Sequence, residues 1–249
     1  MPIVDGHAHV GIGARRTLLP EDLLRAMDDS GVERGVICPL DQYVTVLNRE
    51  GNDYVAQAVD EHLDRFIGFC AVNPWFLAGA VSELERAHNL GLRGLKLNSA
   101  LQGFFPYEEM VAPLLARAGE LGMPVYFHTT TPPFAMPFQV REAACTFPET
   151  TFILGHCGFA DGWTDVVAAV RDQPNIYVET SLIGTPTLHA VIEAVGADRV
   201  LFGSDVPESS LALELEKIAL MNLDAATERS VLGATVLRLL AEGAGADDH

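Results

Sequence analysis

Eight short apolar segments recur along the chain, and each is followed by a segment with helical periodicity. The apolar segments are rich in valine, isoleucine, leucine and phenylalanine, and most of them are nearly uninterrupted. Such runs are typical of parallel strands that are covered on both faces. They cover residues 2–10, 34–40, 66–72, 92–98, 124–129, 151–158, 176–181 and 200–205.

The first helical segment indicates where its helix begins and ends. It reads PEDLLRAMDDSG, in which Pro20 suits the first turn of a helix and Gly31 suits a left-handed residue that ends one. Strand and helix alternating eight times predict an α/β fold, a single (β/α)8 TIM barrel, for which 249 residues is a typical length. No linker divides the chain, so we expect one domain over residues 1–249, with an open doubly wound sheet as the alternative.

Polar side chains stand at the ends of these apolar segments. His7 and His9 are two residues apart in the first segment, so both point to the same face of its strand. In a barrel that face is the interior, and the strand ends soon afterwards near the C-terminal mouth. An unpaired polar group in a buried strand costs a few kcal/mol, so the recurrence needs a common cause. The later segments contribute Lys96, His128, His156, Glu179 and Asp205.

A divalent metal ion is the cause that fits these residue types. Imidazole nitrogens and a carboxylate oxygen are suitable ligands, and three histidines with Asp205 suit zinc. Manganese and iron accept the same ligands. A single buried histidine is more often a hydrogen-bonded core residue than a ligand, so the prediction depends on the whole set. The sequence thus predicts a metal site at the C-terminal mouth of the strands.

The charge balance limits the classes of partner. The chain has 16 basic and 34 acidic residues and a formal net charge of −18, which repels nucleic-acid backbones and anionic membranes. No apolar window is long enough to span a membrane, and the N-terminus lacks a signal-peptide pattern. The four cysteines have no C-x-x-C spacing and are expected to be reduced thiols. We therefore expect a cytoplasmic protein that binds neither nucleic acid nor membrane.

Five ordered motifs carry a family resemblance. They are DGHAH at 5–9, GLKLNSALQGF at 94–104, FHT at 127–129, LGHCG at 154–158 and LFGSD at 201–205. Together they resemble the amidohydrolase superfamily, and within it the amidohydrolase-2 branch. This branch contains hydrolases and also metal-dependent, O₂-independent decarboxylases of aromatic or muconate-type acids. The resemblance spans almost the whole chain, including VLGATVLRLL near its end.

The resemblance also implies roles for the polar residues. It makes His7, His9, His128 and Asp205 the ligands of one ion, and it places His156 against the metal-bound water or the substrate. Many binuclear members bridge two ions with a carbamylated lysine, a role that Lys96 would fill. We expect one ion, and we expect Lys96 to pair with a substrate carboxylate or with Glu179. The family also implies a dimer or larger assembly.

Departures from the family pattern concern the substrate. Some relatives carry a histidine after the KL pair, and this chain has Asn98 at that position. The substrate contact made there is therefore open. Arg15 and Arg16 follow the first strand, where they either attract an anionic substrate or remain solvated. Trp75 either forms an aromatic wall or covers a helix end. The predicted substrate-binding residues are Lys96, Arg15, Arg16 and Trp75, and the expected partner is a small molecule, with a carboxylate as one candidate.

The predicted metal site and the family resemblance are compatible with three functions. The first is a hydrolase of an amide, lactone or similar bond, since a bound divalent ion lowers the pKa of water from about 15.7 towards about 7. Asp205 would then move the proton, and His156 would stabilise the oxyanion or position the substrate. The second is a decarboxylase that uses the same site, with Asp205 or His156 delivering a proton to carbon. The third is a barrel that binds metal without catalysis.

Overall fold

Strands and helices alternate along the computed structural model, which describes residues 2–129 and 131–244. Each predicted apolar segment overlaps one strand, and the two-residue strand β2 was not predicted. The strands are β1 (Ile3–Ile12), β2 (Thr17–Leu18), β3 (Val32–Pro39), β4 (Phe66–Ala71), β5 (Gly94–Leu97), β6 (Val125–His128), β7 (Phe152–Gly155), β8 (Ile176–Glu179) and β9 (Val200–Leu201).

Helices fill the intervals between the strands. They are α1 (Pro20–Ser30), α2 (Gln42–Thr45), α3 (Asn48–Glu61), α4 (Ala78–Asn89), α5 (Ser99–Gln102), α6 (Ala112–Glu120), α7 (Pro137–Thr146), α8 (Val166–Val170), α9 (Thr185–Val195), α10 (Leu211–Leu220), α11 (Ala225–Arg229) and α12 (Thr235–Ala244). None of these described helices combines the length and the hydrophobicity needed to cross a bilayer.

Helix α1 has the ends that the sequence predicted. Pro20 is its first residue, and Gly31 ends it with a φ of 70°, in the left-handed region that glycine adopts without a steric penalty. The Gly31 N–H bonds to the carbonyl groups at the end of the helix. Leu23 and Met27 are buried on the face towards the sheet, four residues apart as an amphipathic helix requires.

One curved sheet contains the nine strands of the described residues. β2 runs antiparallel to β1, and the other strands pair in parallel in the order of the chain. This sequential order differs from the strand orders of doubly wound sheets. The predicted mixed α/β fold with a parallel sheet is confirmed. β2 was not predicted because two residues, one exposed and one half-buried, are too few to show a hydrophobic pattern.

The segment after β9 lies beside β1. The Gly6 N–H donates to the Phe202 carbonyl at 2.8 Å, the Asp205 N–H to the His7 carbonyl at 2.8 Å, and the His9 N–H to the Val206 carbonyl at 2.9 Å. A Cβ on residue 6 would lie 2.7 Å from the Phe202 oxygen, so this approach requires glycine. These bonds bring the first and last parts of the sheet together.

The core has two layers because successive strand residues point to opposite faces. One face packs against the surrounding helices in a large apolar cluster. The other face forms a smaller cluster on the inner side of the curved sheet, which includes Val4, Ile67, Phe69, Tyr126 and Leu201. Tyr126 is fully buried and is the large inner side chain that underlies the candidate site.

Candidate metal centre

The predicted polar residues lie within the strands or in the segments that follow them. His7 and His9 lie on β1, Lys96 on β5 and His128 at the end of β6. His156 comes directly after β7, and Asp205 follows β9. His7, Lys96, His156 and Asp205 are all at most 2% exposed, while His9 and His128 are half-buried. The contacts described below join these six residues in one cluster.

Asp205 lies between the two histidines of β1. Its Oδ1 atom is 3.3 Å from Nε2 of His7 and 3.3 Å from Nε2 of His9. Ligand atoms bound at ordinary Zn–N and Zn–O lengths around a tetrahedral ion are about 3.3 Å apart. Ligand atoms of His7, His156 and Asp205 also fall within 4.8 Å of one another. The donor types and their spacing therefore fit a divalent cation.

The ring of His9 is oriented for such an ion. Its Nδ1 lies 2.9 Å from the carbonyl oxygen of Pro39, which can only accept, so Nδ1 donates a hydrogen and the neutral ring has its lone pair on Nε2. Cys38, on β3, has its Sγ 3.2 Å from Nδ1 of His9 and 3.9 Å from Nδ1 of His7. Cys38 has no signal in the sequence, because a lone cysteine in an apolar strand belongs to no motif.

Asp205 and His156 both have positive φ angles, of 53° and 58°. This left-handed region costs residues with a Cβ roughly 1–3 kcal/mol and persists where the surroundings hold it. Here the Asp205 N–H is fixed by the His7 carbonyl, and the His156 N–H donates to Oε2 of Glu179 at 3.0 Å. The sharp turns aim both side chains into the cluster, His156 directly after β7 and Asp205 four residues after the end of β9.

Charge in the cluster is set by burial and by close neighbours. Burial favours the neutral form of the Asp205 carboxyl, but His156, His7 and His9 outweigh it and hold its pKa far below the usual range. Burial, and next the Lys96 charge, lower the pKa of His128 to about 3. Burial also lowers the pKa of Lys96. Asp205 is thus ionised and His128 neutral, the protonation states that metal binding requires. Burial lowers the pKa of His9, but Cys38 and Asp205 outweigh it and raise that pKa to about 10, so a metal ion would displace a proton from His9.

Lys96 lies inside the cluster. Its Nζ is 2.9 Å from Nε2 of His7 and 3.9 Å above the centre of the Tyr126 ring. Glu179, the carboxylate suggested as its partner, instead accepts a hydrogen bond from the Tyr126 hydroxyl at 2.7 Å. The Lys96 side chain therefore borders the metal-ligand candidates directly. This position suits a bridge between two ions and also a partner for a substrate carboxylate.

A cavity of about 430 Å³ opens onto this cluster. Its lining includes His9, Lys96, His128, Asp205 and Asn98. Asn98 also accepts from the Leu101 N–H at 3.1 Å and so caps α5, whose residue Leu101 lines the same cavity. The cavity gives a small molecule access to His9, His128 and Asp205.

The other predicted substrate-binding residues lie at or beyond the rim. Arg15 lines the cavity, but its guanidinium is paired with Asp41 at 3.1 Å. Arg16 donates to the Pro207 carbonyl at 3.1 Å and pairs with Glu208. The indole N–H of Trp75 donates to the Gln102 carbonyl at 2.9 Å. Among the described residues, the cavity lining includes neither Arg16 nor Trp75.

Sequence reasoning missed several residues that support the cluster. Asp5 accepts from the backbone N–H of His7 at 3.1 Å and of Ser204 at 2.8 Å, tying β1 to the segment that carries Asp205. Burial raises the pKa of Asp5 to about 7 against these hydrogen bonds. Asp5 stands in the motif DGHAH, so a signal was present. Ser181 follows Glu179 by two residues, and only its contact with His156 marks it.

The comparisons with known proteins agree with this architecture. A family model described as Amidohydrolase matches residues 4–241. No curated protein matches the sequence significantly. Solved structures match over nearly their whole length. A 2,6-dihydroxybenzoate decarboxylase from Rhizobium is 19% identical with a TM-score of 0.82, and the match covers 96% of this chain and 98% of that one.

Two further structures extend the comparison. A dihydroxybenzoic acid decarboxylase from Polaromonas sp. JS666, with bound manganese and the inhibitor 2-nitroresorcinol, is 18% identical with a TM-score of 0.79, covering 96% of this chain and 97% of that one. A Pseudomonas putida protein provisionally assigned as a 2-pyrone-4,6-dicarboxylic acid hydrolase is 20% identical with a TM-score of 0.77, covering 97% and 98%. At these identities the likeness concerns the fold. Because the family model covers residues 4–241, the chain belongs to the amidohydrolase-2 branch of the amidohydrolase superfamily.

Proposed function

We propose that this protein is a metal-dependent decarboxylase of a small aromatic or unsaturated carboxylic acid. The observation that carries the proposal is the cavity that ends on Lys96, His128 and Asp205. Its volume of about 430 Å³ lies within the range of small-molecule sites, and Lys96 supplies a buried cation for a carboxylate. Two structures with a similar fold are decarboxylases of dihydroxybenzoic acids, which favours this reaction over the hydrolysis that the sequence analysis put first.

The metal would be held by His7, His9, His128 and Asp205. When bound, it supplies a Lewis acid that polarises a substrate oxygen and stabilises negative charge. Three nitrogens and one carboxylate suit zinc, and manganese is present in one structure with a similar fold. Zinc and manganese are therefore the two ions with which the protein should be loaded.

Asp205 is the group that we assign to proton transfer. Loss of CO₂ breaks the bond between the carboxyl carbon and the ring, and the electron pair left on the ring carbon must receive a proton. The Asp205 carboxylate borders the cavity and can accept the proton of a neighbouring substrate hydroxyl and return it to that carbon. Lys96 would hold the substrate carboxylate. His156 is fully buried behind His128, so we assign it a supporting role rather than the direct contact that the family resemblance implied.

A hydrolase is the second candidate. The Pseudomonas putida protein of similar fold is assigned as a hydrolase of a pyrone dicarboxylic acid, which is also a small unsaturated ring acid. Asp205 in the same position would accept a proton from water instead of from a substrate hydroxyl. The two reactions thus place the same demands on the cavity and differ in their products.

Product analysis distinguishes these reactions. We expect the protein, loaded with manganese or zinc, to convert an ortho-hydroxylated benzoate to the corresponding phenol with one CO₂ released for each acid consumed. Release is measured as dissolved CO₂ together with chromatography of the phenol, and chelator-stripped protein is the control. Ring opening of 2-pyrone-4,6-dicarboxylate without CO₂ would make the protein a hydrolase. No turnover of either class would favour a metal-binding barrel without catalysis.

The number of ions is a separate prediction. We expect about one ion per chain in purified, metal-loaded protein, since the two candidate ligand groups among the described residues share His7. Elemental analysis against protein concentration measures this value. About two ions per chain, falling to one in a Lys96→Ala variant, would show instead that Lys96 bridges a pair of ions.

We propose that residues 1–249 form one domain in which eight βα units close into a barrel, with the metal at the C-terminal ends of the strands. The sequential parallel order and the hydrogen bonds from residues 202–206 to β1 support closure. A homo-oligomer in the cytoplasm, without nucleic-acid partners, remains the expectation for the assembled protein.

A further inference from the structure

A chain of buried hydrogen bonds runs behind the metal-ligand candidates. It begins at Glu179, continues through Ser181 to His156, and ends at His128. Glu179, Ser181 and His156 are each 0% exposed. Of the four, only His128 is among the described residues that line the cavity. The first three side chains therefore influence a ligand in the cavity indirectly, through His128 and through Asp205, whose Oδ2 lies 4.0 Å from Nδ1 of His156.

Glu179 is held firmly at the start of this chain. Its Oε2 accepts from the Tyr126 hydroxyl at 2.7 Å, the Ser181 hydroxyl at 2.9 Å and the His156 N–H at 3.0 Å. Its Oε1 accepts from the Ser181 N–H at 2.5 Å. Each of these four partner groups carries a hydrogen that it can donate, so Glu179 is the acceptor in all four hydrogen bonds. A Cβ on residue 203 would lie 2.3 Å from Oε1, so Gly203 lets the backbone close against it.

The direction of each later hydrogen bond follows from this acceptor. A serine hydroxyl has one hydrogen, and Ser181 donates it to Glu179. The contact of 2.7 Å between Ser181 Oγ and His156 Nδ1 must therefore use a hydrogen on Nδ1. His156 Nε2 then carries the lone pair. The Tyr126 hydroxyl, 3.4 Å from Nε2, already donates to Glu179, so it does not protonate this atom.

His128 completes the sequence of donors and acceptors. Its Nδ1 lies 3.0 Å from His156 Nε2, and this bond needs one hydrogen. Because His156 Nε2 is the acceptor, His128 Nδ1 is the donor. A neutral imidazole with its hydrogen on Nδ1 has its lone pair on Nε2, which is the atom that can bind a metal.

We infer that Glu179 and Ser181 are positioning residues whose hydrogen bonds fix His156 and His128 in the Nδ1–H tautomer, so that His128 presents Nε2 as a metal ligand. The inference rests on the proposed function only in taking His128 as a ligand. It also gives a role to a fully buried glutamate that lies behind the centre without lining the cavity. His156 transmits this orientation. Both of its ring nitrogens are engaged in these hydrogen bonds, so we leave it out of the ligand set although it lies within 4.8 Å of candidate ligand atoms of His7 and Asp205.

The tautomers can be read directly from the unmodified protein. Long-range ¹H–¹⁵N correlation spectra of the metal-free protein should show His128 and His156 with the hydrogen on Nδ1, and zinc should then shift Nε2 of His128. The signals are assigned with His128→Gln and His156→Gln. A hydrogen on Nε2 of His156 would overturn the inference. The spectra need no substrate, so this result is independent of whether the protein decarboxylates or hydrolyses anything.

A pair of serine variants tests the role of the hydroxyl. Ser181→Ala should mix the tautomers of both histidines and weaken manganese or zinc binding about tenfold, the lower end of the effect of removing an orienting partner. Ser99→Ala is the matched control, because its hydroxyl is also fully buried but has no hydrogen-bond partner among the described residues. Unchanged tautomers and affinity in Ser181→Ala would refute the role. If Ser181→Ala does not fold, the wild-type spectra still decide.

Discussion

Changing Asp205 to Asn is expected to lower kcat by about 10²–10⁴-fold, the usual contribution of a group that transfers a proton in the transition state. The amide has nearly the same size and keeps one carbonyl oxygen towards His7 and His9, so the local packing changes little. It cannot, however, accept a proton from a substrate hydroxyl and return it to carbon. Rates are measured at saturating manganese or zinc, which separates lost chemistry from weaker metal binding.

The matched control for this variant removes a carboxylate elsewhere. Asp29 is exposed near the end of α1, far from the cavity lining, so Asp29→Asn removes the same charge without touching the site. Its kcat should equal that of the wild type. If metal-loaded Asp205→Asn turns over at a nearly normal rate, Asp205 does not transfer the proton, and another group that lines the cavity must do so.

Changing His9 to Ala is expected to remove metal and activity together. His9 Nε2 lies 3.3 Å from Asp205 Oδ1, and its Nδ1 is held by the Pro39 carbonyl at 2.9 Å, so the lone pair is already directed into the cluster. Loss of a ligand should weaken metal binding by more than the roughly 10–100-fold that follows from losing an outer partner. Elemental analysis after dialysis and a metal titration measure the loss.

His189 provides the control for the histidine variant. It is exposed on α9, and His189→Ala should retain both the metal and the activity. Circular dichroism checks that His9→Ala keeps its fold, which we expect because the His9 side chain borders the cavity rather than the apolar core. Full metal content in folded His9→Ala would refute its assignment as a ligand.

The sequence predicted the strands and the polar cluster for the same physical reason. Parallel strands buried on both faces produce apolar runs, and a polar residue at the end of such a run is conspicuous. His128 and Glu179 end β6 and β8 in the structure, and His156 comes directly after β7. Because neighbouring parallel strands end at the same edge of the sheet, these positions converge without further information.

Contacts between side chains that are far apart in the sequence could not be predicted in this way. The sequence does not show that Ser181 bonds to His156, or that Cys38 lies between His7 and His9, because these contacts depend on side-chain orientation. The loops were the least predictable. Arg15 carries charge that suits an anion, yet its pairing with Asp41 depends on how two loops meet. A loop of this kind has no periodic pattern that fixes its partners.

The hydrogen bonds between Asp5 and Ser204 have a consequence for how the protein is made. They join residues 199 positions apart, and they hold together the first and last contributors to the metal cluster. A nascent chain that has not yet released Asp205 from the ribosome possesses His7 and His9 but lacks the carboxylate between them. We therefore expect the full set of proposed ligands to be present only in the finished fold. A metal ion bound there would stabilise that fold by mass action.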